Sequence, residues 1–343
     1  MKTFLLELLN NEALVYTLMA IMPLIWVIPF ALFAVWWERK ISAHMQDRLG
    51  PMFTGGWHGW SQTIADIAKL IQKEDIIPTA ADKKLFMLAP YVVFTGSYAA
   101  YAAIPFAASY VGSEINIGLF YIISISSLVV VGLLMAGWAS NNKWSLFGAL
   151  RSAAQIISYE VPVALSLLAV VMVVGTFDMQ EINHIQTGPI WNWLVFQKFP
   201  LLLFACLIYI VASLAEVNRT PFDLPEAESE LVGGYHTEYG GMRFALLFLS
   251  EYANMFAVSA IAVSLFFGGW NSPFGDFLSG HWVLDLFWFL GKGMALIFVQ
   301  MWLRWTLPRL RVDQLMYVGW KVLVPFSFAI ILGIGVWVLA AGQ

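Results

Sequence analysis

Three glutamates occupy long apolar runs, and their chemistry sets the first question about this chain. They are Glu160 in Ser158-Tyr159-Glu160-Val161-Pro162, Glu216 in Leu214-Ala215-Glu216, and Glu251 in Ser250-Glu251-Tyr252. An acid at the centre of a membrane helix costs roughly 2.5–3.5 kcal/mol even on the mildest scale, so three of them call for pairing or use. A set of neighbouring buried carboxyl groups titrates as a unit and is suited to holding and passing protons. Pro162, beside Glu160, frees a backbone carbonyl that water or a side chain can take up. The alternative is structural: each glutamate pairs with an embedded cation such as Arg151, Lys292 or Arg304 and only braces the bundle.

A second acidic feature lies between Glu216 and Arg243. Six acids there face Arg219 and Arg243 alone. Asp223 followed by Glu226 fits a capping box opening a short helix, with Pro225 in its first turn. Capping leaves Glu228 and Glu230 unexplained, and Glu226 and Glu230 repel as neighbours one turn apart. The arrangement suits a segment that gathers protons or meets a basic partner surface. Gly233-Gly234 and Gly240-Gly241 bracket the stretch that follows and give it freedom to move.

Other chemistries are excluded. There is no Gly-rich loop ending in Lys-Ser/Thr and no strand–Gly-rich–helix unit for a dinucleotide. The five histidines (His44, His58, His184, His236, His281) form no pair at helical spacing, which argues against a metal or haem site. No Ser/His/Asp set is legible. The single cysteine, Cys206, cannot hold an iron–sulfur cluster, which needs about four ligands, so any redox centre belongs to another chain. The chain is not catalytically complete alone, and a multi-subunit context follows.

The elements that must position these groups are membrane helices. The chain is 60% hydrophobic and 12% charged, about half the charge of a soluble domain, and the shortfall runs along its whole length. Eight stretches approach the roughly 20 apolar residues that cross a bilayer: 13–35, 86–109, 118–138, 155–176, 199–216, 243–268, 282–303 and 319–341. The first is too long for a signal peptide. Lys and Arg concentrate in alternate loops, with seven after the first span, two after the third, two after the fifth and three after the seventh; the opposite side holds Lys2 and Lys198. The odd-numbered loops are therefore expected in the cytoplasm and both termini outside. On this layout Glu251 lies about nine residues, or on the order of 13 Å, into the sixth span, and Glu160 and Glu216 lie near the cytoplasmic ends of theirs. Within the first loop, Trp57, Trp60, Ile64, Ile67 and Ile71 recur at spacings of three and four. They predict an interfacial amphipathic helix over 57–72 that floors an opening for a lipid-soluble ligand; the plainer reading is a helix packed on the protein's own surface. The expected fold is an all-α polytopic membrane bundle, one domain over 1–343, with about eight transmembrane helices, one interfacial helix and an acidic loop over 217–242.

Several of these segments carry a family resemblance. Glu38-Arg39-Lys40 closing the first span, Asp47-Arg48-Leu49-Gly50-Pro51, and the interfacial helix after them resemble the H-type membrane subunit of bacterial NADH:quinone oxidoreductase (respiratory complex I) and its mitochondrial counterpart. The run from Ala215 to Leu231 looks like that family's longest motif, and Gly233-Gly234-Tyr235-His236-Thr237-Glu238-Tyr239 continues it. The resemblance implies a non-redox subunit forming the membrane part of the tunnel by which quinone, ubiquinone or menaquinone, reaches an iron–sulfur cluster held by a neighbour, with FMN also in partner subunits. It places Arg39, Trp57, Trp60, Asp66 and Phe222 beside the tunnel. It makes Glu226, Glu228 and Glu230 coupling acids, and Glu160, Glu216 and Glu251 stations of a proton path. Some relatives carry another acid in the third span, whereas residues 118–138 have none. The expected partners are peripheral-arm and antiporter-like membrane subunits in the bacterial inner membrane, and the lipid itself, with no nucleic acid. The rival readings are the membrane anchor of an energy-converting hydrogenase and a stand-alone proton-coupled transporter.

Overall fold

In the computed structural model, which describes residues 12–225, 228–275 and 280–341, the apolar runs form helices in order. They are α1 (Glu12–Met45), α2 (Gln62–Gln72), α3 (Lys83–Ala99), α4 (Gly118–Ala139), α5 (Lys143–Val174), α6 (Met179–Ile185), α7 (Leu194–Gln197), α8 (Leu201–Glu216), α9 (Glu228–Leu231), α10 (Gly241–Phe266), α11 (Trp282–Thr306), α12 (Val312–Tyr317) and α13 (Val324–Ala341). A π-helical turn, Val318–Leu323, joins α12 to α13. Among the described residues seven helices are long and apolar enough to cross a membrane: α1, α3, α4, α5, α10, α11 and the joined α12–α13. An eighth apolar helix, α8, has 16 residues. The chain is an all-α polytopic membrane protein, and its only described strands are the short antiparallel pair β1 (Pro105–Ala107) and β2 (Tyr110–Val111).

Local signals explain where the helices depart from hydropathy. Asn142 caps α5 by accepting a hydrogen bond from the Trp144 amide, so this helix starts at Lys143, well before the expected 155. Arg151, one of the two basic residues expected in the loop after the third span, is therefore helical, and Glu160 lies about 25 Å along α5 instead of near its start. Asp82 caps α3 in the same way, accepting from the amides of Lys84 and Leu85. At its far end the run expected to stay helical to 109 turns into the β1–β2 hairpin. The interfacial helix also begins later than the spacing suggested. His58 and Gly59 both have positive φ, and a Cβ at Gly59 would stand 2.7 Å from the backbone of Pro51. That close approach breaks the helix, leaving Trp57 and Trp60 on a preceding turn and starting α2 at Gln62.

The core centres on α10. Every residue from Met255 to Phe266 is buried, the pattern of a helix surrounded by protein on all sides. It packs against α1, α3, α8 and α11, while α5 packs between α4 and α8. By contrast, α13 turns Phe326, Phe328, Leu332, Val336 and Leu339 outward, a face that suits lipid.

Candidate functional site

The most heavily charged buried site gathers at Glu38, near the end of α1. Its carboxylate is 6% exposed and sits between two guanidinium groups. Arg219 Nη1 lies 3.3 Å from both carboxylate oxygens, and Arg304, from the last turn of α11, donates to Oε1. Tyr252 on α10 donates its hydroxyl to Oε2 at 2.6 Å. The Arg219 guanidinium lies over the Tyr252 ring at 4.6 Å and approaches the Glu251 carboxylate at 4.0 Å. Glu251 in turn accepts from the Tyr235 hydroxyl at 3.0 Å and faces His236 Nε2 at 3.5 Å. One chain of ionisable groups thus runs Arg304–Glu38–Arg219–Glu251–His236, contributed by α11, α1, the segment after α8, α10 and the loop before α10.

The sequence shows Glu38 within a motif but gives no sign of this role. Flanked by Arg39 and Lys40, it reads as one of three interfacial charges. On a helix successive side chains point about 100° apart, so Glu38 turns inward while Arg39 faces α2. Arg219 reaches the cluster because Asn218 takes a left-handed conformation, φ +54°, immediately after α8. That turn is held by Gln155, whose amide donates to the carbonyls of Ala215 and Phe222, both at 2.7 Å, and to Asn218 Oδ1 at 3.0 Å. Phe222 is buried with its ring 5.3 Å from that of Tyr159.

Glu160 and Glu216 do not join Glu251 in one cluster. They line a separate small cavity of about 40 Å³, enough for water, between α3, α4, α5, α8 and α10. Ser127 donates to Glu160 Oε1, and Ser126 lines the cavity with its hydroxyl donated to the Ile123 carbonyl. Asn254 lines the same cavity one turn beyond Glu251 on α10, and Val217, which lies between Glu216 and Arg219 in the chain, lines it too. The three expected acids therefore fall into two sites, the packed cluster that holds Glu251 and the cavity of Glu160 and Glu216, with short links along α10 and the end of α8.

The acidic loop lies on the face of α5. Glu226 falls outside the described residues. Asp223 to Pro225 are not helical, and the short helix expected to open there is described from Glu228 to Leu231. Glu230 pairs with Arg151 Nη1 at 2.6 Å. The Arg151 hydrogen bond holds the Glu230 carboxyl below the usual carboxylate range, with Arg309 adding to the effect.

At the remaining edge, Arg39 Nη1 pairs with Asp66 Oδ2 at 2.6 Å, tying α1 to α2, and Gln62 donates to the other Asp66 oxygen at 3.0 Å. Beside this pair an apolar cavity of about 560 Å³ opens between Trp36, Trp37 and Ile41 of α1 and the turn carrying Trp57 and Trp60. Trp57 is 85% exposed. A second apolar cavity, about 730 Å³, lies between α1, the hairpin and α11, and among the described residues its only ionisable lining side chain is Tyr110. Among the described residues no group of three or more His, Cys, Asp or Glu side chains is placed to hold a metal ion.

Known proteins are similar to this chain over nearly its whole length. The NADH dehydrogenase family profile matches residues 18–335. The H-type subunit of the Chlorobium luteolum NADH-quinone oxidoreductase is 56% identical over 331 residues, covering 93% of this chain and 88% of that protein. That of Chlorobaculum tepidum is 53% identical over 332 residues, covering 94% and 92%. The second H-type subunit named for Cytophaga hutchinsonii is 47% identical over 353 residues, covering 91% and 96%.

Proposed function

The chain belongs to the NADH dehydrogenase family, beside the H-type subunits of NADH-quinone oxidoreductases, and on that footing we propose that it forms the membrane part of the quinone path and couples quinone reduction to proton translocation. It is a membrane component of an enzyme assembly whose other subunits are its partners, among them peripheral-arm and antiporter-like membrane subunits. Iron–sulfur clusters and FMN reside in those partners. The odd-numbered loops face the bacterial cytoplasm and both termini face outward.

Quinone, ubiquinone or menaquinone, enters beside Trp57 and Trp60, past the Arg39–Asp66 pair, and Phe222 lies on the deeper side. The cavity of about 560 Å³ against α1 supports this reading, because apolar walls with a few charged groups at the rim suit an amphipathic ring on a long tail. Reduction changes the charge and protonation of the quinone head group. That change acts first on the acidic loop with Glu226, Glu228 and Glu230, then on Glu251, Glu216 and Glu160. The single observation carrying the reading is the continuous series of charged side chains from Arg304 through Glu38 and Arg219 to Glu251, adjoining the chamber of Glu160 and Glu216. Such a series transmits a charge change because each group is set against its neighbour in a poorly solvated interior.

The test begins with the chain pulled from its native membrane in mild detergent. Co-elution with flavin, iron–sulfur centres and inhibitor-sensitive NADH:quinone reductase activity is expected. Isolation alone with proton-coupled solute uptake, or with a hydrogen-evolving partner, would overturn the reading. In the assembled complex, Glu216→Gln is expected to suppress proton translocation more than quinone reduction; wild-type levels of both would remove its coupling role.

A further inference from the structure

Between the acidic loop and Glu251 lies a backbone joint whose conformation needs an explanation. Val232 has φ +66° and is largely exposed. A β-branched residue adopts the left-handed region only when its surroundings over-determine it. Both sides of the joint are fastened to one face of α5. On the side towards α10, Gly234 lies so close to Gly148 that a Cβ at Gly148 would stand 2.7 Å from the Gly234 Cα. On the other side, Arg151, three residues beyond Gly148 and on the same helix face, holds Glu230 at 2.6 Å. Leu231, between them, is buried. Immediately after the joint come Tyr235 and His236, the two loop residues that meet Glu251.

We propose that Arg151 is a positioning residue: its ion pair with Glu230 keeps the strained joint at Val232 closed and thereby sets the contact of Tyr235 and His236 with Glu251. The two fastenings differ in kind. The Gly148–Gly234 contact is backbone against glycine and gives little. The ion pair has 31% and 48% of its two side chains exposed, so it opens at modest cost. Loosening it frees the loop's acidic side while Gly234 stays docked, and the joint relaxes between them. The consequence for coupling rests on the function proposed above, whereas the geometric part does not.

The test uses the assembled complex and reads amide hydrogen exchange over residues 230–236 by mass spectrometry. Arg151→Gln and Glu230→Gln are each expected to raise exchange about two- to fivefold, the range that an exposed pair supports. The double variant is expected to be no looser than either single one, and Arg151→Lys to stay near wild type. Val232→Asn, whose side chain tolerates the left-handed region, is expected to return part of the protection in the Arg151→Gln background. Unchanged exchange in Arg151→Gln, or exchange in Arg151→Lys as fast as in Arg151→Gln, would overturn the proposal. Protons translocated per electron are expected to fall in Arg151→Gln and recover in Arg151→Lys, with the quinone KM unchanged. Raised exchange with an unchanged proton yield would leave the latch in place and overturn the coupling role of the loop instead.

Discussion

Two regions of this molecule use the same ion-pair chemistry to opposite ends. At Glu38 the carboxylate, the Arg219 guanidinium and the Tyr252 phenol are packed almost out of solvent, and only the Arg304 side chain, 24% exposed, reaches the edge. At the rim, Arg39–Asp66 and Arg151–Glu230 have comparably short contacts but stand substantially in solvent. Removing one member of a buried set strands a charge in a poor dielectric and costs about 3–5 kcal/mol, whereas an exposed pair contributes about 0.2–1 kcal/mol. The inner set therefore behaves as a fixed frame through which a charge change is felt. The outer pairs are joints that open and close at low cost.

The largest effect is expected of Glu38→Gln. It leaves Arg219 and Arg304 facing each other without their carboxylate, and a loss of about 3–5 kcal/mol is expected. The amount of assembled complex on native gels and its rate of thermal inactivation read this out. Normal assembly would mean that the cluster is wet and that the contrast with the rim is mistaken. Next in size is Gly59→Ala, which adds a Cβ 2.7 Å from Pro51 at φ +63°. A cost of about 1–2 kcal/mol from the left-handed backbone alone is expected. It should shift the Trp57–Trp60 turn and raise the quinone KM more than it lowers kcat.

Asp66→Asn is expected to do less. Loss of an exposed pair changes the quinone KM by less than about fivefold, and the difference should shrink as salt is added. The smallest expected effect is that of pH on the Arg151–Glu230 pair. The Glu230 carboxyl is held below the usual range, so its contribution is fully present above that range and is lost only as pH falls through the depressed value. Exchange protection of residues 230–236 should accordingly stay flat between about pH 6 and pH 8, well above the ordinary carboxylate range. A fall in protection within that window, measured against the intrinsic base-catalysed rise of amide exchange with pH, would break this expectation.

Much of the architecture is legible in the sequence because a bilayer constrains sequence strongly. An apolar run of sufficient length has few alternatives to a helix, and acids inside such runs draw attention to themselves. The bounds are less legible. The start of α5 at Lys143 depends on the Asn142 cap and on small residues that let its extra turns pack, features weaker than hydropathy. The break at Gly59 depends on the approach of Pro51, a residue eight positions earlier, which no helical periodicity registers.

Composition and spacing are enough to reveal the membrane class of the chain, the acids in apolar surroundings and an acidic loop next to a glycine-rich joint. Those properties are read one segment at a time. Which charge meets which is settled by the packing of the helices. That packing drew Glu38 inward to Arg219 and Arg304, separated Glu251 from Glu160 and Glu216, and set Arg151 against Glu230. Ion pairs between residues 79 to 266 positions apart are settled by how helices rotate about their axes when they pack. A rotation of a few tens of degrees moves a carboxylate from solvent to core without changing a single residue of the pattern.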